Sequence, residues 1–200
     1  MGIDKDYKKI IKSHKEDWAA ISADPSLDEG FIREFADKVV WRIIAEKQDL
    51  SESFIEANID RFNDPATGRL DLTAILTKQK LSENFLRKYA DKFKWSDWKV
   101  LSSCQKLSEK FILDFENKVN WSDITAGQEL SEKFIEDHQD KIKWEYVARY
   151  QTITEEFFWK HQDKIDVNFL VKSQKVDTSH WSARFQELKQ KEAAKAEVLY

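Results

Sequence analysis

Apolar positions along this chain recur in steps of three to four residues, which is the period of an α-helix. They fall in a block of roughly 23 residues that repeats along most of the chain. Each block opens with Leu-Ser-Glu, one variable residue, and Phe-Ile. Close and loose copies of this opening begin at Leu27, Leu50, Leu81, Leu107, Leu130 and Ile153. A block this short cannot bury its own apolar face, so the pattern predicts units that stack on one another.

The polar residues of the block predict where its helices begin. Ser after the opening Leu is a typical helix N-cap, and the flanking Leu and Ile suit a hydrophobic staple. Glu next to the cap suits the positive end of the helix dipole. A second cap in mid-block, Asn120 or Asp166, predicts a break. Each block is therefore predicted to hold a helix A of about 11 residues and a helix B of about 8 residues, joined by tight turns.

These signals predict an all-α chain, an α-solenoid of about seven two-helix repeats of roughly 23 residues, in a single repeat domain over residues 1–200. Residues 3–26 are interpreted as a degraded N-terminal unit and residues 27–175 as six repeats. Residues 176–200 are interpreted as a C-terminal capping helix with a frayed tail. The chain has only 4 Gly and 2 Pro, which disfavours all-β folds because these need frequent turns.

A Trp near the start of helix B and a closing Gln complete the pattern. The Trp marker stands at Trp41, Trp95, Trp121 and Trp144, and Leu72 and Val167 replace it in the other copies. The closing residues are Gln48, Gln79, Gln105, Gln128, Gln151 and Gln174. We interpret the Trp residues as core rather than as base-stacking platforms. We expect each Gln to bond backbone groups of the next unit rather than a ligand.

The Leu-Ser-Glu-x-Phe-Ile opening, the Asp-Lys-Val-x-Trp stretch and the closing Gln resemble short helical repeats in proteins of giant DNA viruses and bacteriophages. The resemblance covers about residues 27–175. It implies the repeat type, a viral source and a role upon a host protein, and it implies no biochemical activity, because none is attached to the repeat itself.

Composition limits the function classes. There are 33 basic residues against 37 acidic ones, for a net charge of -4, so no overall basic footprint for nucleic acid is visible. Pairs such as Asp140-Lys141 are expected to satisfy the ends of helix A and keep the array soluble, rather than bind phosphate. Cys104 is the single cysteine, which excludes a disulfide framework. With no apolar leader or membrane-length apolar run, the chain is expected to be a soluble cytoplasmic protein.

Two histidines occupy the same slot of adjacent units. His138 and His161 both stand in helix A where other units have Phe35, Tyr89 and Phe115. Two stacked histidines could begin a zinc site, but a third ligand is not apparent. We therefore interpret the slot as a half-buried aromatic packing position and predict no metal site.

Departures from the repeat are the better candidates for recognition. The second unit carries an insertion, residues 63–69, in which Asp64 and Arg69 are candidate partner-binding residues, although a tolerated, idle insertion is the favoured interpretation. The third unit is longer and holds both Trp95 and Trp98. In the fifth unit Tyr146, Arg149 and Tyr150 lie off the repeated apolar slots and have the composition of an interface hot spot, with neighbour packing as the alternative.

Catalytic and phosphate-binding motifs are absent from the sequence: G-x-G-x-x-G, the P-loop, H-E-x-x-H and Gly-x-Ser-x-Gly do not occur. The leading hypothesis is a non-catalytic scaffold for protein–protein interaction, without a cofactor, acting as a monomer or weak oligomer. A viral protein acting on a host protein fits this hypothesis. The alternatives are a helical repeat protein that binds nucleic acid through a local basic stripe, and an enzyme with an unrecognised site.

Overall fold

The computed structural model describes residues 5–62 and 72–197, and the chain divides into two compact units, residues 1–101 and 102–200. In the described part of the chain all regular structure is helical. The helices of the first unit are α1 (Lys5–Ser13), α2 (Trp18–Ser22), α3 (Glu29–Glu34), α4 (Trp41–Lys47), α5 (Glu52–Ala57), a 3₁₀ turn (Ile59–Arg61), α6 (Thr73–Lys78) and α7 (Glu83–Tyr89). Helix α8 (Trp95–Cys104) begins in the first unit and ends in the second.

The second unit contains the most regular repeats. Its helices are α9 (Glu109–Asp114), α10 (Trp121–Gly127), α11 (Glu132–Asp137), α12 (Trp144–Tyr150), α13 (Glu155–Lys160), α14 (Val167–Leu170) and α15 (Ala183–Glu197). Successive B helices pack on one another, as α10 does on α12 and α12 on α14, and α15 packs on α14. In the first unit α2 packs on α4 and α4 on α6. The predicted all-α solenoid of two-helix repeats is confirmed.

The predicted N-caps are present at both helix starts. In helix A the hydroxyl oxygen of Ser131 accepts a hydrogen bond from the Phe134 backbone N–H at 3.1 Å, and Ser51 and Ser108 cap α5 and α9 in the same way. In helix B the side-chain oxygen of Asn120 accepts from Asp123 N–H at 3.0 Å. These caps satisfy N–H groups that have no partner inside the helix.

Helix A is shorter than its apolar pattern predicted. The regular A helices contain 6 residues, not about 11. The residue after each helix leaves helical geometry; Phe115, for example, has φ -122° and ψ 27°. Its carbonyl then accepts from both Lys118 N–H and Val119 N–H, at 2.8 and 3.1 Å, so the chain reverses in a tight turn. The remaining apolar positions thus belong to that turn, and the predicted break in mid-block is confirmed.

The core consists of the repeated apolar side chains of both helices. Phe and Ile of helix A and the Ile or Val in the middle of helix B are fully buried, for example Phe111, Ile112, Ile124, Ile135 and Val147. The Leu before each Ser cap is buried as well. Helices of 6 or 7 residues are too short to be stable alone, so burial against neighbouring repeats must supply their stability.

No helix among the described residues has both the length and the apolar character needed to cross a bilayer.

Candidate functional site

The closing Gln of the regular repeats belongs to the interface between repeats, not to the surface that is free to bind a partner. Gln151 is 2% exposed. Its Nε2 donates to the carbonyls of Thr125 and Gln128, at 2.6 and 2.8 Å, and its Oε1 accepts from Leu130 N–H at 3.0 Å. Gln128 repeats these bonds with Ser102 O, Gln105 O and Leu107 N–H. One amide therefore bonds two carbonyls of the preceding repeat and the backbone N–H that opens its own repeat.

The neighbour that Gln contacts is the preceding repeat, so the prediction that it bonds the next one was wrong. The reason lies at the C-terminus of helix B. The carbonyls of Thr125 and Gln128 belong to the last turn of α10, where backbone acceptors lack intrahelical partners. Gln151, at the end of α12, reaches back to them because α10 and α12 lie side by side.

The Glu that follows each Ser cap forms a second ladder that the sequence analysis missed. Glu132 Oε1 accepts from the backbone N–H of Thr154, the cap of the next repeat, at 2.5 Å. Glu109 bonds Ser131 N–H at 2.6 Å and Glu29 bonds Ser51 N–H at 2.7 Å. The Glu was assigned to the helix dipole of its own helix, but its carboxylate satisfies the backbone of the neighbouring helix A.

The Trp marker is part of the same interface. The Trp144 ring stacks on Phe157 of the next repeat, with centroids 6.3 Å apart, and its Nε1 donates to Gln139 O at 3.3 Å. Lys164 Nζ lies over the Trp144 ring, 4.9 Å from its centroid. Trp121 has the same arrangement with Phe134 and Lys141. These Trp rings are half-buried packing residues rather than free stacking platforms.

The lysines of Asp140-Lys141 and Asp163-Lys164 lie over these Trp rings. Lys141 Nζ also pairs with Glu116 Oε2 at 2.5 Å, and Lys164 Nζ donates to Gln139 Oε1 at 2.6 Å. Both acceptors belong to the preceding repeat. These lysines therefore join repeats by cation–π and charge contacts, and the prediction that they satisfy the ends of their own helix A was wrong.

Trp95 departs from the marker arrangement. It is 72% exposed, whereas Trp98 is buried and packs edge-to-face on Phe93 at 5.6 Å. The extra three residues of this repeat form an additional first turn of α8, which has 10 residues where α10 has 7. Trp98, followed by buried Leu101 and Ser102, therefore takes the place of the marker, and the interpretation of Trp95 as core was wrong.

The two histidines pack as aromatic residues. His138 stacks between Phe134 and Trp121, and its Nδ1 lies 2.9 Å from Phe134 O. His161 is buried, contacts the Trp144 ring, and places Nε2 3.2 Å from Glu136 Oε1. Lys160 and then His161 lower the pKa of the Glu136 carboxyl by hydrogen bonding. Over residues 5–62 and 72–197 no cluster of three His, Cys, Asp or Glu side chains could hold a metal ion.

The candidate residues Tyr146, Arg149 and Tyr150 lie together on α12. The two Tyr rings meet edge-to-face at 5.7 Å, and Tyr150 is 44% exposed. Arg149 stacks its guanidinium 3.7 Å from the centroid of Phe169 and pairs with Glu145 at 3.1 Å. Its Nε is buried and has no hydrogen-bond partner in the described part of the chain. The candidate residues Asp64 and Arg69, like the rest of the 63–69 insertion, lie outside the described residues.

The Gln ladder stops immediately beside these residues. Gln174 occupies the closing position of its repeat, yet it is exposed. Helix α14 has only 4 residues, and Ser173 Oγ donates to Arg149 O at 2.8 Å and accepts from Lys175 N–H at 3.1 Å. The bond to Lys175 N–H is local, and local side-chain bonds of this kind compete with helix continuation. The prediction that Gln174 bonds a neighbouring repeat was therefore wrong.

An open groove lies where the second turn of α14 is missing. We call it the α12–α14 groove; it has a volume of about 480 Å³ and is lined by Arg149, Tyr150, Phe169, Lys172, Ser173, Gln174 and Lys175. Lys172 and Lys175 are exposed, and no salt bridge to either is present among the described residues. The groove thus combines two aromatic rings with three cations.

Comparison of the chain with protein-family models, with curated proteins and with solved structures found no match. The geometry of the α12–α14 region is therefore the basis for assigning a function.

Proposed function

We propose that the chain is a non-catalytic scaffold for protein–protein interaction and that the Tyr146–Tyr150 face of α12 belongs to its binding surface. The observation that carries this proposal is the identity of these two positions. The same slots of helix α10 hold Asp123 and Gly127, so stacking of the repeats does not require aromatic rings there. Tyrosines beside an arginine, here Tyr150 exposed and Tyr146 half-buried, are typical of the residues that dominate binding energy at protein interfaces.

The rest of the repeat pattern supports the same division of roles. Ser caps, Glu and Gln ladders and the Trp–Phe stacks are occupied in joining neighbouring repeats. Side chains engaged in this way stabilise the array and are not available to a partner. The residues left for recognition are those that the repeat does not specify, and Tyr150 is an exposed large aromatic side chain among those that the structure describes in the second unit.

The resemblance to repeats of giant DNA viruses and bacteriophages favours an origin of that kind. A scaffold of such origin would act on a host protein in the host cytoplasm, as a monomer or weak oligomer. Rigid helices that present two tyrosines lose little conformational entropy on binding, which suits a specific protein contact.

The test is site-specific photocrosslinking. A photoreactive phenylalanine analogue replaces Tyr150 in one variant and Leu113 in a control, because Leu113 is exposed to a similar degree, 41% against 44%. A partner crosslinked from position 150 and not from position 113 is then purified. Tyr146→Ala with Tyr150→Ala is expected to weaken its binding by at least about tenfold, or 1.4 kcal/mol, while Leu113→Ala leaves it within about twofold.

Thermal unfolding separates a binding role from a packing role. The double Tyr variant is expected to keep its melting temperature within a few degrees of the parent, since Tyr150 is exposed and Tyr146 is only half-buried. A large fall in melting temperature would show that these rings are core. Equal crosslinking from positions 150 and 113, or unchanged affinity of the double variant, would remove the proposal.

A further inference from the structure

The α12–α14 groove differs in charge from a second groove in the same unit. The second groove, of about 430 Å³ between α9 and α11, contains Lys110 and Lys133. Each lysine pairs with an aspartate four residues on, Lys110 with Asp114 at 3.1 Å and Lys133 with Asp137 at 2.7 Å. Glu109 adds a further carboxylate to its lining. The cations of that groove are therefore neutralised by neighbours.

The α12–α14 groove has no carboxylate in its lining. Arg149 shares one ion pair with Glu145 of its own helix, and that pair leaves Nε without a partner among the described residues. Lys172 and Lys175 stand exposed on the turn that follows α14. A local excess of positive charge on a chain of net charge -4 selects ligands that carry negative charge at this one place.

The groove also has an apolar floor. Phe169 and Tyr150 line it, and the Arg149 guanidinium covers one face of Phe169. A ligand that fills it therefore needs both negative groups for the cations and an apolar side chain for the rings. An extended peptide segment supplies both, because alternate side chains point in opposite directions. Nucleic acid fits less well, since its phosphates continue beyond three cations along a surface that is acidic overall.

We propose that the α12–α14 groove binds an extended acidic peptide segment with an aromatic side chain, on the partner protein. This inference rests on the proposed scaffold function and names the chemistry of the partner at one site. Carboxylates of the segment pair with Lys172 and Lys175, and its aromatic side chain packs on Phe169 and Tyr150. The recognition site thus consists of side chains that the repeat pattern does not specify.

The test uses a defined probe, the peptide Glu-Asp-Glu-Phe-Asp-Glu-Asp, added to the full chain up to millimolar concentration. Backbone amide NMR shifts detect binding as weak as about 1 mM, or roughly 4 kcal/mol. We expect shifts at Tyr150, Phe169 and Ser173, and an affinity that falls as NaCl rises from roughly 50 to 200 mM. Absence of binding at 1 mM peptide and low salt overturns the proposal.

Two matched variants locate the site. Lys172→Glu with Lys175→Glu is expected to weaken probe binding by at least about tenfold, because it turns attraction into repulsion. Lys110→Glu with Lys133→Glu makes the same charge change at the α9–α11 groove and is expected to leave binding within about twofold. Equal losses in both variants would show non-specific charge attraction and would overturn the proposal. The same holds if a ten-residue oligo-dT competes with the probe more strongly than unlabelled peptide does.

Binding of the crosslinked partner distinguishes the acidic-peptide inference from the scaffold function on which it rests. If the Lys172→Glu, Lys175→Glu variant still binds that partner with unchanged affinity while the Tyr146→Ala, Tyr150→Ala variant does not, the scaffold function stands and the acidic-peptide assignment fails. Loss of partner binding in both pairs of variants, with binding kept by Lys110→Glu, Lys133→Glu, supports both.

Discussion

Within residues 102–200, the junction between α10 and α12 can be compared with the junction between α12 and α14. At the first, Gln151 is buried, and its amide bonds two carbonyls of the preceding repeat and the backbone N–H of Leu130. At the second, Gln174 has the same place in the sequence pattern, but it is exposed beside an open groove. The two junctions differ in how far helix B extends, 7 residues in α12 and 4 in α14.

This difference shows what the closing Gln requires. Its amide can reach the carbonyls of the preceding repeat only when the second turn of helix B has formed. Where Ser173 bonds Arg149 O and Lys175 N–H instead, that turn is lost and the Gln turns to solvent. The interface then leaves uncovered the aromatic and basic residues that a regular repeat would cover. A small change of local bonding thus converts a packing junction into a candidate binding groove.

The largest expected effect comes from removing the buried amide. Gln151→Ala leaves Thr125 O, Gln128 O and Leu130 N–H without their partner inside the interface. We expect a loss of about 3 kcal/mol in the free energy of unfolding, from roughly 1 kcal/mol for each unsatisfied buried group. Urea unfolding followed by circular dichroism measures it.

Gln174→Ala is the matched control, because the same substitution at an exposed position breaks no ladder bond. Its effect is expected to stay within about 0.5 kcal/mol. Similar losses in the two variants would mean that the second junction uses its Gln as the first does, and the comparison between them would fail.

The same two junctions show how much the sequence can predict. The caps, the helix break and the stacked repeats depend on local residue types, so Ser131, Asn120 and the apolar pattern were enough to predict them. The Glu and Gln ladders depend on which neighbouring repeat each side chain can reach. A repeated sequence pattern does not show whether that neighbour is the preceding or the following repeat. Helix B of the sixth repeat was predicted to resemble the others because Ser173 gives no sign, in sequence, of forming its local bonds.

The sequence also left open which of two Trp residues, Trp95 or Trp98, is the marker of the third repeat. Trp95 keeps the marker's distance from the turn before helix B, while Trp98 keeps its distance from the closing Gln105. Either assignment satisfies the helical period, because three residues are close to one turn. Only the packing of the extra turn of α8 places Trp98 inside and Trp95 in solvent. Of the candidate site, the composition of Tyr146, Arg149 and Tyr150 was visible in sequence, but the groove beside them was not.

The second prediction uses the Glu ladder, which continues where the Gln ladder stops. Glu155 accepts hydrogen bonds from both the hydroxyl and the backbone N–H of Ser182, and from Trp159 Nε1. The Ser182 hydroxyl and then Trp159 lower the pKa of the Glu155 carboxyl. A lowered folded-state pKa stabilises the protein above the unfolded value of about 4.3, and that stabilisation is lost as pH falls through the folded-state value.

Glu155→Gln removes this titration. The variant is expected to lose less melting temperature between neutral pH and pH of about 3 than the parent does. Glu129→Gln is the control, since Glu129 is exposed and makes no hydrogen bond or ion pair in the described part of the chain. If both variants follow the parent's pH profile, the continued Glu ladder does not contribute to acid stability.

The smallest expected change in stability comes from Ser173→Ala, which tests why the two junctions differ. The substitution removes the hydroxyl that bonds Arg149 O and Lys175 N–H, at a cost of about 1 kcal/mol. Ala is the residue that most favours a helix, so α14 is expected to gain its second turn, and Gln174 then reaches the carbonyls of Ala148 and Gln151. These contributions offset each other, and the net change is expected to be within about 0.5 kcal/mol. Slower amide hydrogen exchange at residues 172–175, together with weaker binding of the acidic peptide, is the expected signature. A loss of about 1 kcal/mol with exchange unchanged would show that Ser173 stabilises the open junction but does not cause it.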